Sequence, residues 1–230
     1  MNLIITRPIG DAMTLARQIA ARGHVPILAP LLKIEARHDA QVPDATFQAI
    51  CVTSANGFIN AELLAPLRSL PVYCVGPQSA RAAHAAGFAA ARQRGGDVSG
   101  LVHAVTTELT PGAGDILYVS GDVTSGDLEG ALSGAGFRVH RVIAYAAVPL
   151  PLALSAAQWA SAHGVMLYSA RSARLWADAI VSCGSAGRLT HYCLSANVAR
   201  SLPAGFAVQI ADVPDEEHML SMLDQASEAE

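Results

Sequence analysis

Two stretches decide how this chain folds. Ala49-Ile50-Cys51-Val52-Thr53-Ser54-Ala55-Asn56 aligns with Gly164-Val165-Met166-Leu167-Tyr168-Ser169-Ala170-Arg171. Further along, Tyr73-Cys74-Val75-Gly76-Pro77-Gln78-Ser79-Ala80-Arg81 aligns with Tyr192-Cys193-Leu194-Ser195-Ala196-Asn197-Val198-Ala199-Arg200, and Gly87-Phe88 with Gly205-Phe206. A weaker match joins Leu3-Ile4-Ile5-Thr6-Arg7 to Leu117-Tyr118-Val119-Ser120-Gly121. Every offset is close to half of the 230 residues. Self-similarity at one long offset marks a duplicated structural unit. In each copy a short apolar run ends in small or hydroxyl residues and gives way to a helical pattern.

The rest of the chain repeats that alternation. Strands are expected at 3–6, 25–28, 49–53, 72–75, 116–119, 139–144, 165–168, 191–194 and 208–210. Helices are expected at 11–21, 79–86, 101–109, 128–132, 172–180, 198–202 and 215–225. Gly23, Gly87, Gly136 and Gly205 each follow a helical stretch, where a left-handed cap residue belongs. Pro214 and three acids open the last helix, as first-turn chemistry prefers. Strands alternating with helices specify parallel α/β sheets. The expectation is two similar Rossmann- or flavodoxin-like parallel-sheet α/β domains, with a cleft between them. Ligands of such sheets bind beyond the carboxyl ends of the strands, and clefts between domains commonly hold them.

Composition narrows the function. Hydrophobic residues make up 52% of the chain and charged residues 15%, a packed globular protein. The formal net charge of −4 argues against nucleic-acid binding. No Asp, Glu, Lys or Arg occurs from Val142 to Ala170, but Pro149 and Pro151 break the run and polar residues dilute it. A span needs roughly 20 uninterrupted apolar residues, so this segment reads as strand, connector, helix and strand. No signal peptide is expected. Cys51, Cys74, Cys183 and Cys193 form no C-x-x-C pair, and the 8 histidines show no zinc-ligand spacing. Reduced, buried thiols in a cytoplasmic protein and no metal site are expected. Of the 15 basic residues only Lys33 is not arginine. Arginine suits carboxylate partners, although a GC-rich genome explains the same bias.

The strand ends carry the chemistry. Thr6, Thr53, Ser54, Ser79, Ser120, Gly121, Ser169 and Ser195 fall where a strand hands over to a helix. Free N–H groups at helix starts attract anions, and several such loops could hold a polyanion without a basic patch. The plainer alternative is that each hydroxyl caps its own helix. Gly121-Asp122-Val123-Thr124-Ser125-Gly126-Asp127 lacks the Lys and Ser/Thr of a P-loop. No G-x-G-x-x-G opens a helix, and no G-x-S-x-G occurs. Catalysis must therefore rest on orientation and on one or two polar groups.

In order and spacing the chain resembles the uroporphyrinogen-III synthase family nearly end to end. The blocks are Ile4-Ile5-Thr6-Arg7-Pro8, Gly23 to Pro30, Thr53-Ser54-Ala55-Asn56, Val75-Gly76-Pro77-Gln78-Ser79-Ala80, Gly96-Asp97-Val98-Ser99-Gly100-Leu101 and Ile143-Ala144-Tyr145. The family's second glycine loop departs here: Ser195 replaces its glycine, and Asn197 and Val198 stand where hydroxyls are usual. The resemblance implies a discontinuous domain of residues 1–32 and 149–230, a second domain of 42–143, and linker strands at 33–41 and 144–148. The leading segment of each repeat would pack in the other repeat's domain. It implies a cofactor-free hydro-lyase that cyclises hydroxymethylbilane, a linear tetrapyrrole with eight carboxylates, and inverts ring D. Loss of the terminal hydroxyl leaves an azafulvene. Attack by the substituted carbon of the last pyrrole gives a spiro intermediate, and cleavage and reclosure invert that ring.

Tyr145 is then the catalytic candidate, a donor to the departing hydroxyl. Thr6, Arg7, Thr53, Ser54, Asn56, Ser79, Ser120, Gly121, Ser169, Arg171, Ser195 and Asn197 are substrate-binding candidates, with Arg200 a further cation. The expected partners are the small-molecule substrate and, transiently, the preceding pathway enzyme, with no nucleic acid and no membrane; a monomer is the default. A non-catalytic two-lobed sensor of small anions and a degenerate synthase-like binding domain are the competing readings.

Overall fold

The computed structural model describes residues 1–124, 126–181 and 188–228, the side chains of 226–228 excepted; Cys183 lies outside them. The strands are β1 (Asn2–Ile5), β2 (Val25–Leu28), β3 (Leu32–Ala36), β4 (Phe47–Val52), β5 (Val72–Cys74), β6 (Ala91–Gln93), β7 (Asp115–Gly121), β8 (Val139–Pro149), β9 (Gly164–Leu167), β10 (Thr190–Cys193) and β11 (Ala207–Ile210). The α-helices are α1 (Ile9–Ala21), α2 (Pro77–Ala85), α3 (Val98–Glu108), α4 (Leu128–Gly134), α5 (Ala156–Ser161), α6 (Ala170–Val181), α7 (Ala196–Ala199) and α8 (Glu216–Glu228). Two 3-10 segments, Ala55–Phe58 and Ala61–Leu67, follow β4.

The chain divides into two compact units, one of residues 1–33 with 148–230 and one of 34–147. The division falls inside β3 and inside β8, so both crossings are made by strands. The first unit holds a five-stranded sheet in the order β11-β10-β9-β1-β2, and the second a six-stranded sheet in the order β3-β8-β7-β4-β5-β6. The pairings of β1 with β2 and β9, and of β10 with β9 and β11, are parallel. So are those of β4 with β5 and β7, of β5 with β6, and of β7 with β8. With β3 set aside, the two sheets have one order: β11, β10, β9, β1 and β2 stand where β6, β5, β4, β7 and β8 stand. The leading strand of each sequence repeat, β1 or β7, therefore lies in the sheet formed mainly by the other repeat.

Continuous apolar runs suit strands covered on both faces, and each sheet has a core on each face. In the first unit Ile4, Ile27, Val165, Leu167 and Trp176 form one core, and Leu3, Ile5, Leu15, Met166 and Leu220 the other. In the second, Ile50, Val52, Leu117, Val119 and Phe88 oppose Ala49, Cys51, Ile116, Tyr118 and Leu101. Side chains alternate between the faces, as strand geometry requires. The helix ends follow local chemistry. Gly23, Gly87, Gly136 and Gly205 take φ of +78°, +92°, +90° and +92°, a region that disfavours any Cβ. Ser155 and Gln158 close a capping box on α5, and Asp97 and Asp127 cap α3 and α4 through the Gly100 and Gly130 amides.

Candidate functional site

Parallel strands deliver all their carboxyl ends to one edge of a sheet. In the first unit that edge carries Thr6 and Arg7 after β1, Ser169 and Arg171 after β9, and Ser195 and Asn197 after β10. In the second it carries Thr53, Ser54 and Asn56 after β4, Ser79 after β5, Ser120 and Gly121 at the end of β7, and Tyr145 on β8. Within each unit, then, topology gathers the sequence candidates on one rim.

Their side chains serve different ends. The Thr6 hydroxyl is fully buried and donates to the Met166 carbonyl at 3.0 Å, tying β1 to β9. Ser120 is likewise buried and donates to the Gly121 carbonyl at 3.0 Å. These paired positions of the repeat brace the strand ends. Ser54 accepts from the Asn56 amide at 3.3 Å, and Ser169 accepts from the Ser172 amide at 3.0 Å. Ser195 heads α7 without a side-chain cap bond, and Asn197 beside it is exposed, as is Arg200. Gly76 heads α2 with Pro77 behind it, and Ser79 is buried in that first turn. Thr53 lies 3.4 Å from the Tyr118 hydroxyl. It also borders a depression of about 400 Å3, together with Val75, Gly96, Asp97, Val98 and Ser99, at the N-terminus of α3. A larger depression of about 640 Å3, lined by Asn2, His163, Arg188 and Gln209 among others, opens at the strand N-termini of the first unit, the edge opposite the rim loops.

Arg7 is held on three sides. Its guanidinium meets Asp11 at 3.0 Å and Glu216 at 2.8 Å, and lies 4.7 Å from the centre of the Tyr168 ring. It fastens the loop after β1 to the starts of α1 and α8. The Tyr168 hydroxyl has no hydrogen-bond partner among the described residues, and burial pushes its phenol well above the usual tyrosine value.

Tyr145 owes its setting to an irregularity in β8. Ser120 pairs with Ile143 but Gly121 pairs with Tyr145, so Ala144 is an extra residue. Such a bulge re-aims the side chains beyond it. By plain alternation Tyr145 would share the face of Ile143, which is 38% exposed. Instead it joins Val142 and Ala144 in the core and is 8% exposed. Its ring fills the space left by the missing Gly121 side chain: a Cβ there would lie 2.7 Å from Cε2 and Cζ of the ring. Burial raises the Tyr145 pKa above the ordinary tyrosine value, with the neighbouring Tyr118 and Asp122 adding to the rise; hydrogen bonds involving the Ser54 side chain and the Gly121 backbone oppose it. The phenol is therefore protonated at neutral pH, a donor to an oxygen that gathers negative charge.

A duplicated parallel α/β protein with hydroxyls and amides along its strand ends belongs to the α/β class whose ligands are met at the carboxyl ends of the strands. The family model for uroporphyrinogen-III synthase HemD matches residues 13–221. The chain is also similar to the crystal structure of uroporphyrinogen-III synthetase from Helicobacter pylori 26695, with a TM-score of 0.70 at 14% identity over 98% of this chain and 99% of that one. A mutant uroporphyrinogen III synthase from the extremely thermophilic bacterium Thermus thermophilus gives a TM-score of 0.56 at 16% identity over 100% of this chain and 98% of that one. At these identities the structures speak for the fold alone. No curated relative matches. The family match spans most of the sequence, and the chain belongs to the uroporphyrinogen-III synthase family. Its activity is that of a cyclising lyase, which closes hydroxymethylbilane to uroporphyrinogen III with inversion of ring D and loss of water.

Proposed function

We propose that Tyr145 donates the proton, or the hydrogen bond, that assists departure of the terminal hydroxyl of hydroxymethylbilane, and that the rim loops hold the substrate's carboxylates. The observation that carries this reading is the bulge at Ala144, which sets a neutral phenol against Gly121 on the same rim as Thr53, Ser54 and Asn56. As the C–O bond breaks, the leaving oxygen takes a proton and departs as water. The azafulvene that remains is attacked by the substituted carbon of ring D, giving a spiro intermediate. The original bond from that carbon to its methylene then breaks to leave an azafulvene on ring C. The free α-carbon of ring D bonds to that methylene and gives up its proton as the inverted ring closes. The unaided compound closes to the uninverted type I isomer, so the protein must dictate the fold of the bound chain. Holding reacting carbons in contact supplies a large effective molarity.

Carboxylates are met by amide donors at the starts of α2, α3 and α6 and by the hydroxyls of Thr53 and Ser169, with Asn56, Arg171 and Asn197 as side-chain partners. Each hydrogen bond to a charged acceptor contributes about 1.5–3 kcal/mol, so several loops suffice without a basic patch. Arg7, Thr6 and Ser120 serve this set by fixing the strand ends.

We also assign the protein to the cytoplasm as a monomer. No helix among the described residues is long and apolar enough to cross a membrane. The free thiols of Cys51, Cys74 and Cys193 are buried, which suits a reducing compartment. Sedimentation at micromolar concentration checks the oligomeric state.

The deciding experiment gives hydroxymethylbilane to wild type and Tyr145→Phe, oxidises the products and resolves type I from type III porphyrin. Wild type yields type III. Tyr145→Phe is expected to lose roughly a hundredfold in turnover, so that spontaneous type I overtakes type III. Unchanged turnover and isomer ratio would remove Tyr145 from the chemistry.

A further inference from the structure

Tyr145 rests on a segment that a single arginine ties down. Arg141 lies on β8 opposite Tyr118 of β7, on the sheet face away from the Tyr145 ring. Its Nε donates to the Ser120 hydroxyl at 2.8 Å, and Nη2 donates to the Gly121 carbonyl at 2.8 Å and the Asp122 carbonyl at 3.3 Å. The guanidinium also lies 6.0 Å from the centre of the Tyr118 ring. Three consecutive residues thus hang on one planar fork, a pattern that arginine supports and lysine does not. Those residues in turn hold Tyr145. Gly121 contacts its ring, the Asp122 amide donates to the Tyr145 carbonyl at 3.0 Å, and Asp122 Oδ1 accepts from the Ala147 amide at 3.3 Å.

The first unit provides an internal control. Tyr118 corresponds to Ile4 in the repeat, and the partner of Ile4 on β2 is Ile27. The same sheet position, in the same strand order, is filled there by a buried aliphatic side chain. The β1–β2 ladder ends at Ile5 and Leu28, one residue short of the place that corresponds to the bulge between β7 and β8. The fold itself therefore does not require an arginine at this position. In the second unit the guanidinium, the bulge and the tyrosine occur together.

We infer that Arg141 is a positioning residue for the cyclisation: by clamping the Ser120–Asp122 segment from one face of the sheet, it fixes the Tyr145 phenol on the other. The inference rests on the Tyr145 reading and adds to it the residue through which the phenol's position is set.

The test is a double-mutant cycle on the full chain, run beside a spectroscopic probe of the ring. Turnover of hydroxymethylbilane is compared for wild type, Arg141→Gln, Tyr145→Phe and the double variant. Arg141→Gln is expected to lower kcat roughly tenfold or more with little change in KM, because misplacement of a reacting group by an ångström has such consequences. In the Tyr145→Phe background the same substitution is expected to cost nothing further. Arg141→Lys, which keeps the cation but not the fork, is expected to behave like Arg141→Gln and guards against a variant that does not fold. In protein labelled with 13Cζ-tyrosine, the Tyr145 resonance is identified by its loss in Tyr145→Phe. It should move in Arg141→Gln, and its titration midpoint should change. Losses that multiply across the cycle would overturn the inference, and so would an unmoved Tyr145 resonance. If Tyr145→Phe alone retained full turnover, the Tyr145 reading would fail separately, and the resonance would still decide whether Arg141 holds the ring.

Discussion

The contact between Tyr145 and Gly121 is narrow enough that one methyl group decides it. Gly121→Ala would place a carbon 2.7 Å from the ring, so either the ring or the strand end must move. Overpacking of this kind costs about 1–3 kcal/mol. The expected result is a folded protein with a lowered thermal midpoint and a turnover loss as large as that of Tyr145→Phe. The phenol also sets a pH dependence. Its folded pKa is raised above the usual value of about 10, so the donor form persists as pH rises past that value. The rate is expected to fall only beyond it, and this alkaline limb should vanish in Tyr145→Phe. Arg7 shows the opposite balance. The sequence placed it where a carboxylate of the substrate could be met, but its guanidinium already engages Asp11, Glu216 and the face of Tyr168. Arg7→Gln is expected to lower stability by about 1–2 kcal/mol, read from urea unfolding, while KM changes less than twofold.

At the scale of elements, most strands and helices follow from apolar periodicity, and the exceptions have physical causes. Runs such as Leu3-Ile4-Ile5 and Ile50-Cys51-Val52 have no face to hide from water, and they lie in sheets covered on both sides. The strand β6, Ala91–Gln93, escaped the sequence reading because it is short, polar and at a sheet edge, where its side chains are half-buried or exposed. The 3-10 segments at Ala55–Phe58 and Ala61–Leu67 escaped because Gly57 and Pro66 interrupt any helical period. The bulge at Ala144 carries no sequence mark either, since Val142, Ile143 and Ala144 fit a regular strand equally well. The strand β10 makes a testable contribution to stability through His191. That ring is fully buried between Trp176 and Phe206, and its Nδ1 lies 3.1 Å from the Ala207 carbonyl. Burial lowers its pKa, and hydrogen bonds to the Ala207 and Leu189 backbone oppose the shift. A histidine held neutral in this way contributes stability above its unfolded value of about 6.5 and loses it as pH falls toward the lower folded value. Urea midpoints should therefore drop below pH 6.5, and less steeply in His191→Gln. His24, lowered by burial in the same sense, leaves part of the slope in place.

For the whole molecule the governing fact is duplication with exchange. Each sheet takes its leading strand from the other repeat, which leaves both units with one strand order and one rim of carboxyl ends. Thr53→Ala in the second unit and Ser169→Ala in the first are each expected to raise KM about tenfold, with type III still the product. An unchanged KM for one of them would confine binding to the other unit. The sequence by itself determined the duplication, the parallel α/β class and where the strands end in hydroxyls and amides, because burial on both faces and the strand-to-helix change are local properties of the chain. Only the tertiary structure decided which candidates face inward, that Arg7 is spent on carboxylates of its own unit, and that Arg141 and Gly121 stand behind Tyr145. Those outcomes depend on pairing register between strands distant in sequence, and one extra residue in β8 reverses the face on which a side chain lies.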